Sequence, residues 1–342
     1  MLRVSSTAHC VFRRSACGNG RMRNYRNQSG NPVLRARSCV NEHWSWLLCV
    51  FFLIALVAFL SVITNGVYAQ TRAVNLAVLD FGDSPFARIS EDHLISQLKL
   101  APGIKVLDRD ATRVATRGAG YTGSLNLSLA EARDLGNAIG CDFYLLGDAQ
   151  SLRRSTSTKP VYFEAYASIF LVSSRTGKLI RWERLSFEAD DRNLAEENLF
   201  QELSKADFAR RYAGAIGAAL ESESHERETA LTNAVPVLEE APDDEKTAEA
   251  TGLRLPKPYR RLRPAYPDTA ARADAAGIVD VLVDLDAGGE VVRADISRWA
   301  GFGLDEATID TVRRLHFFPA QRNGTAIPIR ILLRYNFRKS AQ

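Results

Sequence analysis

Apolar and polar side chains alternate along residues 327–337 of this chain. The apolar positions fall on every second residue: Ile327, Ile329, Ile331, Leu333, Tyr335 and Phe337. Most residues between them are polar or basic, with Pro328 and Leu332 as the exceptions. A period of two places one face of a β-strand on a core and the other face in water. The pattern therefore predicts a terminal strand that is buried on one side only.

The residues before this strand predict a hairpin and an amphipathic helix. Residues 279–285 (VDVLVDL) have the composition of a strand, and the following Gly288 and Gly289 tolerate the positive φ angles of a tight turn. Further on, residues suited to a buried face recur at helical spacing: Leu304, Ala307, Thr308, Thr311, Val312 and Leu315. We expect a small antiparallel sheet that is covered on one face by one or two helices.

Several spaced motifs in this region match one family of proteins. They are Tyr266-Pro267, the strand at 279–285, the Gly288-Gly289 turn, residues 318–320 (FPA), residues 323–324 (NG) and the alternating terminal strand. In this order they resemble the C-terminal domain of the TonB family, over residues 256–340. Members of that family carry force or contact from the inner membrane to outer-membrane receptors.

The resemblance implies a partner-binding site on the terminal strand. In the family, an extended segment of the partner pairs with the sheet edge that this strand forms. The edge residues here would be Arg330, Ile331, Leu332, Leu333, Arg334 and Tyr335, with Tyr266 and Pro267 as the entry motif. Ala265 stands where well-studied members have a glutamine, and no histidine lies within residues 46–63. Receptor contact at Ala265 and coupling to a proton-driven motor therefore stay open at this point.

Residues 72–221 alternate between predicted strands and helices. We expect strands at 74–79, 104–109, 142–147, 161–171 and 179–185, the last two joined by a turn at 175–178. Ser128 and Glu131 have the spacing of a capping box at the start of a helix. A single long helix is predicted from about residue 193 to about residue 220, on the basis of its apolar stripe.

Four short segments of this region also match known proteins. They are residues 77–81 (AVLDF), 106–109 (VLDR), 135–142 (LGNAIGCD) and 176–178 (TGK). Together they resemble the periplasmic α/β domains of CsgG-like and TolB N-terminal-like proteins. That resemblance implies a role in envelope assembly without enzymatic activity.

The N-terminal region has the charge pattern of a membrane-targeting segment. Residues 1–45 contain eight arginines and one acidic residue, Glu42, whereas residues 46–64 contain no charge. At about 1.5 Å per helical residue, such a run nearly spans a bilayer core. Positive charge before the run predicts a cytoplasmic N-terminus and places residues 72–342 in the periplasm. The alternative, a signal cleaved after Ala69, gives the same location for the rest of the chain.

Residues 222–255 have the composition of a linker. Acidic residues dominate the stretch, and Pro236 and Pro242 interrupt any helix. We expect a flexible acidic connection that lets the regions at 72–221 and 256–340 move independently.

No motif in the sequence indicates catalysis or a cofactor. Residues 118–123 match GxGxxG, but a dinucleotide site needs a strand directly before the glycines and a helix directly after them. Helix-like residues 111–116 precede the glycines, so we interpret them as a loop. Cys141 is the one cysteine after the apolar run, and its apolar neighbours predict a buried thiol. No spacing of histidines and cysteines matches a metal site.

The sequence as a whole predicts an α+β cell-envelope protein that is not an enzyme. Its expected partner is an outer-membrane receptor or another envelope protein, with inner-membrane motor proteins as further partners and no nucleic acid or cofactor. The alternative interpretation is a periplasmic adaptor for the assembly of an envelope or secretion complex.

The charge asymmetry around residues 46–64 generates a prediction about topology. Reporter fusions after residue 75 should be active when the reporter works only after export, because the arginines hold the N-terminus in the cytoplasm. A parallel fusion to a reporter that works only in the cytoplasm is the control. Activity of that second fusion would contradict the periplasmic placement.

Overall fold

The computed structural model describes residues 73–155, 159, 161–232, 238–242 and 244–338. The predicted leader at 1–45 and the apolar run at 46–64 lie outside these residues. In the described ranges, no helix combines the length and the apolar character needed to cross a membrane.

Within the described residues, the first sheet has five strands. They are β1 (Val74–Val78), β2 (Ile104–Val106), β3 (Phe143–Arg154), β4 (Tyr162–Ser173) and β5 (Leu179–Ala189). The spatial order is β2–β1–β3–β4–β5, with β1 parallel to its two neighbours and the other pairs antiparallel. Each predicted strand is present, but the one predicted at 104–109 ends at Val106, because Asp108 caps the helix that follows. β3 extends past the predicted end at residue 147, because its pairing with β4 continues to Arg154.

Five helices accompany this sheet in the described residues. The first four begin at a polar capping residue, and the fifth follows closely after the fourth. They are α1 (Pro85–Leu98), α2 (Arg109–Gly118), α3 (Leu129–Ile139), α4 (Arg192–Leu203) and α5 (Ala206–Thr232). The predicted capping box at Ser128 and Glu131 is confirmed at the start of α3. The GxGxxG residues form the end of α2 and the loop after it, and the next helix begins only at Leu129.

The single helix predicted from residue 193 to residue 220 is wrong, since two helices occupy this stretch. The Ser204 hydroxyl donates a hydrogen bond to the Phe200 carbonyl oxygen at 2.7 Å and lies 2.8 Å from Nδ1 of His93 on α1. A serine that bonds the preceding turn favours a helix end over continuation. The second helix, α5, then continues to Thr232, well beyond the predicted boundary.

The C-terminal part contains the predicted three-stranded sheet. Its elements are α6 (Glu245–Ala250), β6 (Leu253–Arg254), β7 (Lys257–Pro258), α7 (Asp268–Arg272), β8 (Gly277–Leu285), β9 (Val291–Arg298), α8 (Leu304–Val312), β10 (Phe317–Phe318), β11 (Gln321–Arg322), β12 (Thr325–Ala326) and β13 (Ile329–Phe337). The main sheet is antiparallel in the order β13–β8–β9. Gly289 in the hairpin has φ +86°, and a Cβ atom there would lie 2.0 Å from the Phe317 carbonyl oxygen, so the turn requires glycine.

Much of the expected flexible linker at 222–255 has regular structure. Residues 222–232 belong to α5, residues 245–250 form α6, and β6 pairs with β11. Residue Glu240 forms a parallel bridge with Arg330 of β13. Acidic composition did not distinguish a flexible connection from this structure, because acidic residues also occur in helices and paired strands.

Different structural elements pack on the two faces of the first sheet. On one face, α1, α4 and α5 pack on β1, β3 and β4, with Leu94, Leu199 and Tyr212 among the buried side chains. On the other face, α3 shares the cover with the C-terminal part of the chain. The regions that we expected to move independently therefore share one continuous apolar core, which ties them together.

Trp299 and Phe302 form the centre of this contact, which we call the seam. The Trp299 indole is buried, and its Nε1 donates to the Gly177 carbonyl oxygen at 3.0 Å. The Phe302 ring meets the Phe170 ring edge-on, with 5.4 Å between centroids. The Asn126 side chain donates to the carbonyl oxygens of Ile278 and Trp299 at 2.8 and 2.6 Å. Apolar burial and directed hydrogen bonds thus act at the same place.

Asp305 holds the loop that carries the seam residues. Its buried carboxylate accepts hydrogen bonds from the backbone N–H groups of Ala300 and Gly301, at 2.8 and 2.9 Å. Burial raises the pKa of Asp305 to about 6, and the two N–H donors act in the opposite direction. The carboxylate therefore fixes the loop between Trp299 and α8.

The seam generates a stability prediction. Trp299→Ala should lower the free energy of unfolding by about 3–5 kcal/mol through the cavity it leaves, and Trp299→Phe by about 1–3 kcal/mol through the unpaired Gly177 carbonyl. Urea unfolding of the full chain measures both. The exposed Val292→Ala on β9 is the control and should change the unfolding free energy by no more than about 0.5 kcal/mol.

Limited proteolysis gives a second measurement of the same seam. If a protease cuts between residues 222 and 255, the two wild-type fragments should still elute together in size-exclusion chromatography, whereas those of Trp299→Ala should separate. Separation of the wild-type fragments would show that only the intact chain, and not the seam, holds the two regions together.

Candidate functional site

The strand β13 forms one edge of the C-terminal sheet. It pairs with β8 along its whole length, from Ile329 opposite Leu285 to Phe337 opposite Gly277. Its other side faces away from the sheet, since the strand order is β13–β8–β9. At the opposite edge of the sheet, Arg298 of β9 bridges to Ser128 at the start of α3. The two edges therefore differ, because the seam region covers the end of β9 and leaves β13 on the outside.

The direction of the backbone groups on β13 follows from two hydrogen bonds. The Arg330 N–H donates to the Glu239 carbonyl oxygen at 2.9 Å, and the Ala241 N–H donates to the Arg330 carbonyl oxygen at 2.8 Å. Both bonds lie on the side away from β8. Because backbone groups alternate along a strand, the N–H and C=O of Leu332 point to the same outer side. Leu332 forms no backbone hydrogen bond on that side with any residue that the structure describes.

The side chains of β13 also separate by face. Ile329 and Ile331 are buried, and Leu333 and Tyr335 are half-buried on the same face. Burial raises the pKa of Tyr335, in agreement with this position. On the other face lie Arg330, Leu332, Arg334 and Asn336, and the Leu332 side chain is 45% exposed. The predicted alternation is confirmed, and the strand begins at Ile329 because Pro328 cannot join the ladder.

Two bidentate ion pairs attach the exposed face of β13 to β8. Arg330 donates to the Asp284 carboxylate at 2.6 and 2.9 Å, and Arg334 donates to Asp280 at 2.7 and 2.9 Å. The hydrogen bond to Asp284 raises the pKa of Arg330. The Asp280 carboxylate also lies 3.5 Å from the guanidinium group of Arg298 on β9, so it has a second basic neighbour. These arginines thus have a structural role in the sheet, beyond any contact with a partner.

The predicted entry motif lies near the C-terminal end of β13. The Tyr266 hydroxyl donates to the Ala275 carbonyl oxygen at 2.6 Å, and its ring centroid is 6.4 Å from that of Phe337. Pro267 is the N-cap residue of α7. The structure therefore brings Tyr266 close to one end of β13 and places the occupied position, Arg330, near the other end.

Comparison with known proteins identifies this region. The family model described as the Gram-negative bacterial TonB protein C-terminal matches residues 263–338. Residues 263–338 form a TonB C-terminal domain. The TonB C-terminal family is a family of non-enzymatic protein-interaction domains.

Solved structures resemble parts of the chain at low sequence identity. The C-terminal domain of TonB from Pseudomonas aeruginosa is 19% identical, covers 25% of this chain and 89% of its own, and has a TM-score of 0.23. The C-terminal domain of LpoB from Salmonella enterica is 14% identical, covers 35% of this chain and 85% of its own, and has a TM-score of 0.25. The hypothetical protein CT253 from Chlamydia trachomatis is 14% identical, covers 42% of this chain and 99% of its own, and has a TM-score of 0.29. A search of curated proteins found no match.

Acidic side chains elsewhere in the chain stabilise its elements. Glu91 is buried, accepts from the Phe81 N–H at 2.6 Å and pairs with Arg109. Burial raises the pKa of Glu91 to about 7. Asp108 caps α2, and its carboxylate accepts a hydrogen bond from the Ala111 N–H at 2.9 Å. Sequence reasoning missed Glu91, because nothing in its spacing distinguishes a buried glutamate from an exposed one.

Cys141 and a cleft next to α8 give no further indication of chemistry. The Cys141 thiol is buried, as predicted, and desolvation raises its pKa to about 11, which disfavours the reactive thiolate. A cleft of about 630 Å³ lies between β5 and α8 and has Trp182, Ile296 and Ile309 in its wall. Four basic and four acidic side chains surround it, so their charges offset each other.

The ion pairs of the TonB C-terminal domain generate a prediction. Arg330→Ala should destabilise the chain by about 3 kcal/mol, because it removes the bidentate partner of the nearly buried Asp284. Arg334→Ala should cost less, about 1–2 kcal/mol, since Asp280 keeps Arg298 nearby. Urea unfolding of each variant measures the difference. Equal losses would show that Arg298 does not support Asp280.

Proposed function

We propose that this chain is a non-enzymatic cell-envelope protein whose TonB C-terminal domain binds an extended segment of a partner along β13. The proposal depends on one observation: β13 presents backbone N–H and C=O groups on its outer side, and residues 239–241 already pair with them at Arg330. A strand edge that accepts one extended segment has the geometry to accept another. The pairing residues are those from Arg330 to Tyr335 on β13.

The location of the chain follows from the proposed function and from its N-terminal charge pattern. In this proposal residues 46–64 anchor the chain in the inner membrane as a single pass, and residues 72–342 lie in the periplasm. Cleavage after Ala69 would release the same region as a soluble periplasmic protein. The partner is an outer-membrane receptor or another envelope protein, and inner-membrane motor proteins would supply energy if the chain takes part in energised transport.

Tyr266 and Pro267 have an indirect role in this proposal. Tyr266 packs near Phe337 and bonds the Ala275 backbone, so it supports the end of β13 that lies farthest from Arg330. Pro267, the next residue in the chain, is the N-cap residue of α7. Both residues would therefore shape the surface next to the edge, where the side chains of an added strand would lie.

A second candidate function is a periplasmic adaptor for the assembly of an envelope or secretion complex. The seam favours it, because Trp299 and Phe302 hold the TonB C-terminal domain on the α/β sheet instead of at the end of a long connection. The resemblance of residues 72–221 to CsgG-like and TolB N-terminal-like proteins points in the same direction. Both candidates use the same edge and differ in the partner that it binds.

Leu332→Pro tests the edge directly. Proline removes the outward N–H of Leu332 and keeps the inward ladder to β8, so capture of the partner should fall by at least tenfold. Leu332→Ala is the matched control, because it shortens the side chain and keeps the N–H, and capture should stay within about threefold. The measurement is quantitative pull-down of solubilised envelope proteins by the full chain, with circular dichroism to verify folding.

The identity of the captured proteins separates the two candidates. Receptor plugs or motor subunits would support transport, whereas cell-wall or secretion components would support the adaptor. Undiminished capture by a folded Leu332→Pro chain would exclude strand addition at this edge.

A further inference from the structure

Residues 238–242 lie against the outer side of β13 and are bonded there at one point. The Glu239 carbonyl oxygen and the Ala241 N–H both bond to Arg330, at 2.9 and 2.8 Å, which makes Glu240 the parallel partner of Arg330. The Glu239 carboxylate also pairs with Arg322 of β11. Ala241 is half-buried against the core of the TonB C-terminal domain. The segment therefore pairs with the sheet edge at a single bridged position.

This bridged segment uses backbone groups that a partner strand would need. Arg330 has one N–H and one C=O on its outer side, and both are engaged. A partner that paired from Arg330 onward would have to remove the Ala241 and Glu239 contacts first. A partner limited to Leu332 and the residues after it would meet no such competition at Arg330. The edge is thus occupied at Arg330 and accessible from Leu332 onward.

We propose that residues 238–242 act as an intramolecular competitor for the β13 edge, which a partner strand displaces when it pairs with Arg330. The displacement by a partner rests on the proposed function. The occupancy of the edge by residues 238–242 can be measured without a partner. A covalently attached segment competes at an effective concentration in the millimolar range, on the order of that for short flexible links. The competition therefore favours partner segments that bind more tightly than a generic extended peptide.

The contacts that hold the segment are few, so it can be released. Two backbone hydrogen bonds, one surface ion pair and the packing of Ala241 attach it, and Arg322 and Glu239 are each more than one-third exposed. Exposed ion pairs contribute little to stability and are screened by salt. Pro242 follows directly and has no N–H to donate, so it does not strengthen the pairing. The segment is thus held weakly enough to be exchanged for a partner.

Two proline substitutions in the segment test the competition. Ala241→Pro removes the N–H that donates to Arg330 and should release the segment. Glu240→Pro is the matched control, because the backbone groups of Glu240 point away from β13 and the ladder does not use them. In the full chain, exchange of the Arg330 amide hydrogen should accelerate at least tenfold in Ala241→Pro and stay within about threefold of wild type in Glu240→Pro.

A peptide with the sequence of residues 236–244 provides the probe for competition. Added to the full chain and followed by NMR at the Arg330 and Leu332 amides, it should bind Ala241→Pro at a concentration at least tenfold lower than wild type or Glu240→Pro. A scrambled peptide should shift neither signal, and unchanged circular dichroism should show that both variants fold.

The outcomes separate this inference from the proposed function. Equal exchange and equal peptide binding in wild type, Ala241→Pro and Glu240→Pro would overturn the competition, whatever the partner. If the peptide results agree with expectation but Leu332→Pro still captures its partner fully, the partner binds elsewhere. In that case the proposed function fails, and with it the displacement by a partner.

Discussion

The arrangement of this protein depends on the need to cover both faces of its five-stranded sheet. The central strands β3 and β4 are buried on both sides, so apolar side chains such as Leu146 and Phe170 require a cover opposite to α1, α4 and α5. The helix α3 covers part of this face, and the TonB C-terminal domain covers much of the rest. Trp299 and Phe302 fill the contact. The Asn126 side chain donates to two backbone carbonyl oxygens there, and the Gly177 carbonyl oxygen accepts from the Trp299 indole. Once the domain is seated in this way, the end of β9 faces α3 and β13 is directed outward.

The outward edge carries features that protect it from indiscriminate pairing. Edge strands in natural proteins are often marked by charged side chains, and β13 has Arg330 and Arg334 on its exposed face. Those arginines are bound bidentately by Asp284 and Asp280, so their charge also stabilises the sheet. The short segment at 238–242 covers part of the remaining backbone. A partner strand that binds here, as proposed, would meet an edge that is already shielded from other strands.

Local patterns predicted much of the C-terminal sheet and little of its surroundings. The alternation at 327–337 and the glycines at 288 and 289 depend on neighbouring residues alone, so they identified β13 and the hairpin before β9. The capping box at Ser128 was visible for the same reason. The seam was not predicted, because contact between Phe170 and Phe302 joins residues more than a hundred positions apart and depends on the shape of two folded surfaces. The pairing of Glu240 with Arg330 was missed for a related reason, since an acidic, proline-containing stretch has no strand pattern of its own.

The full-length pairing of β13 with β8 has a mechanical consequence. All nine residues of β13 pair in register with the central strand of the sheet, and β8 is held on its other side by β9. Tension applied along the axis of β13 would load these pairs together, as in shear, whereas tension at right angles would open them one after another from an end. The direction in which a bound strand is pulled would therefore decide how much load the domain withstands. A partner strand that pairs along β13, parallel or antiparallel, would pull along the strand axis. This is the direction in which the pairs resist the load together.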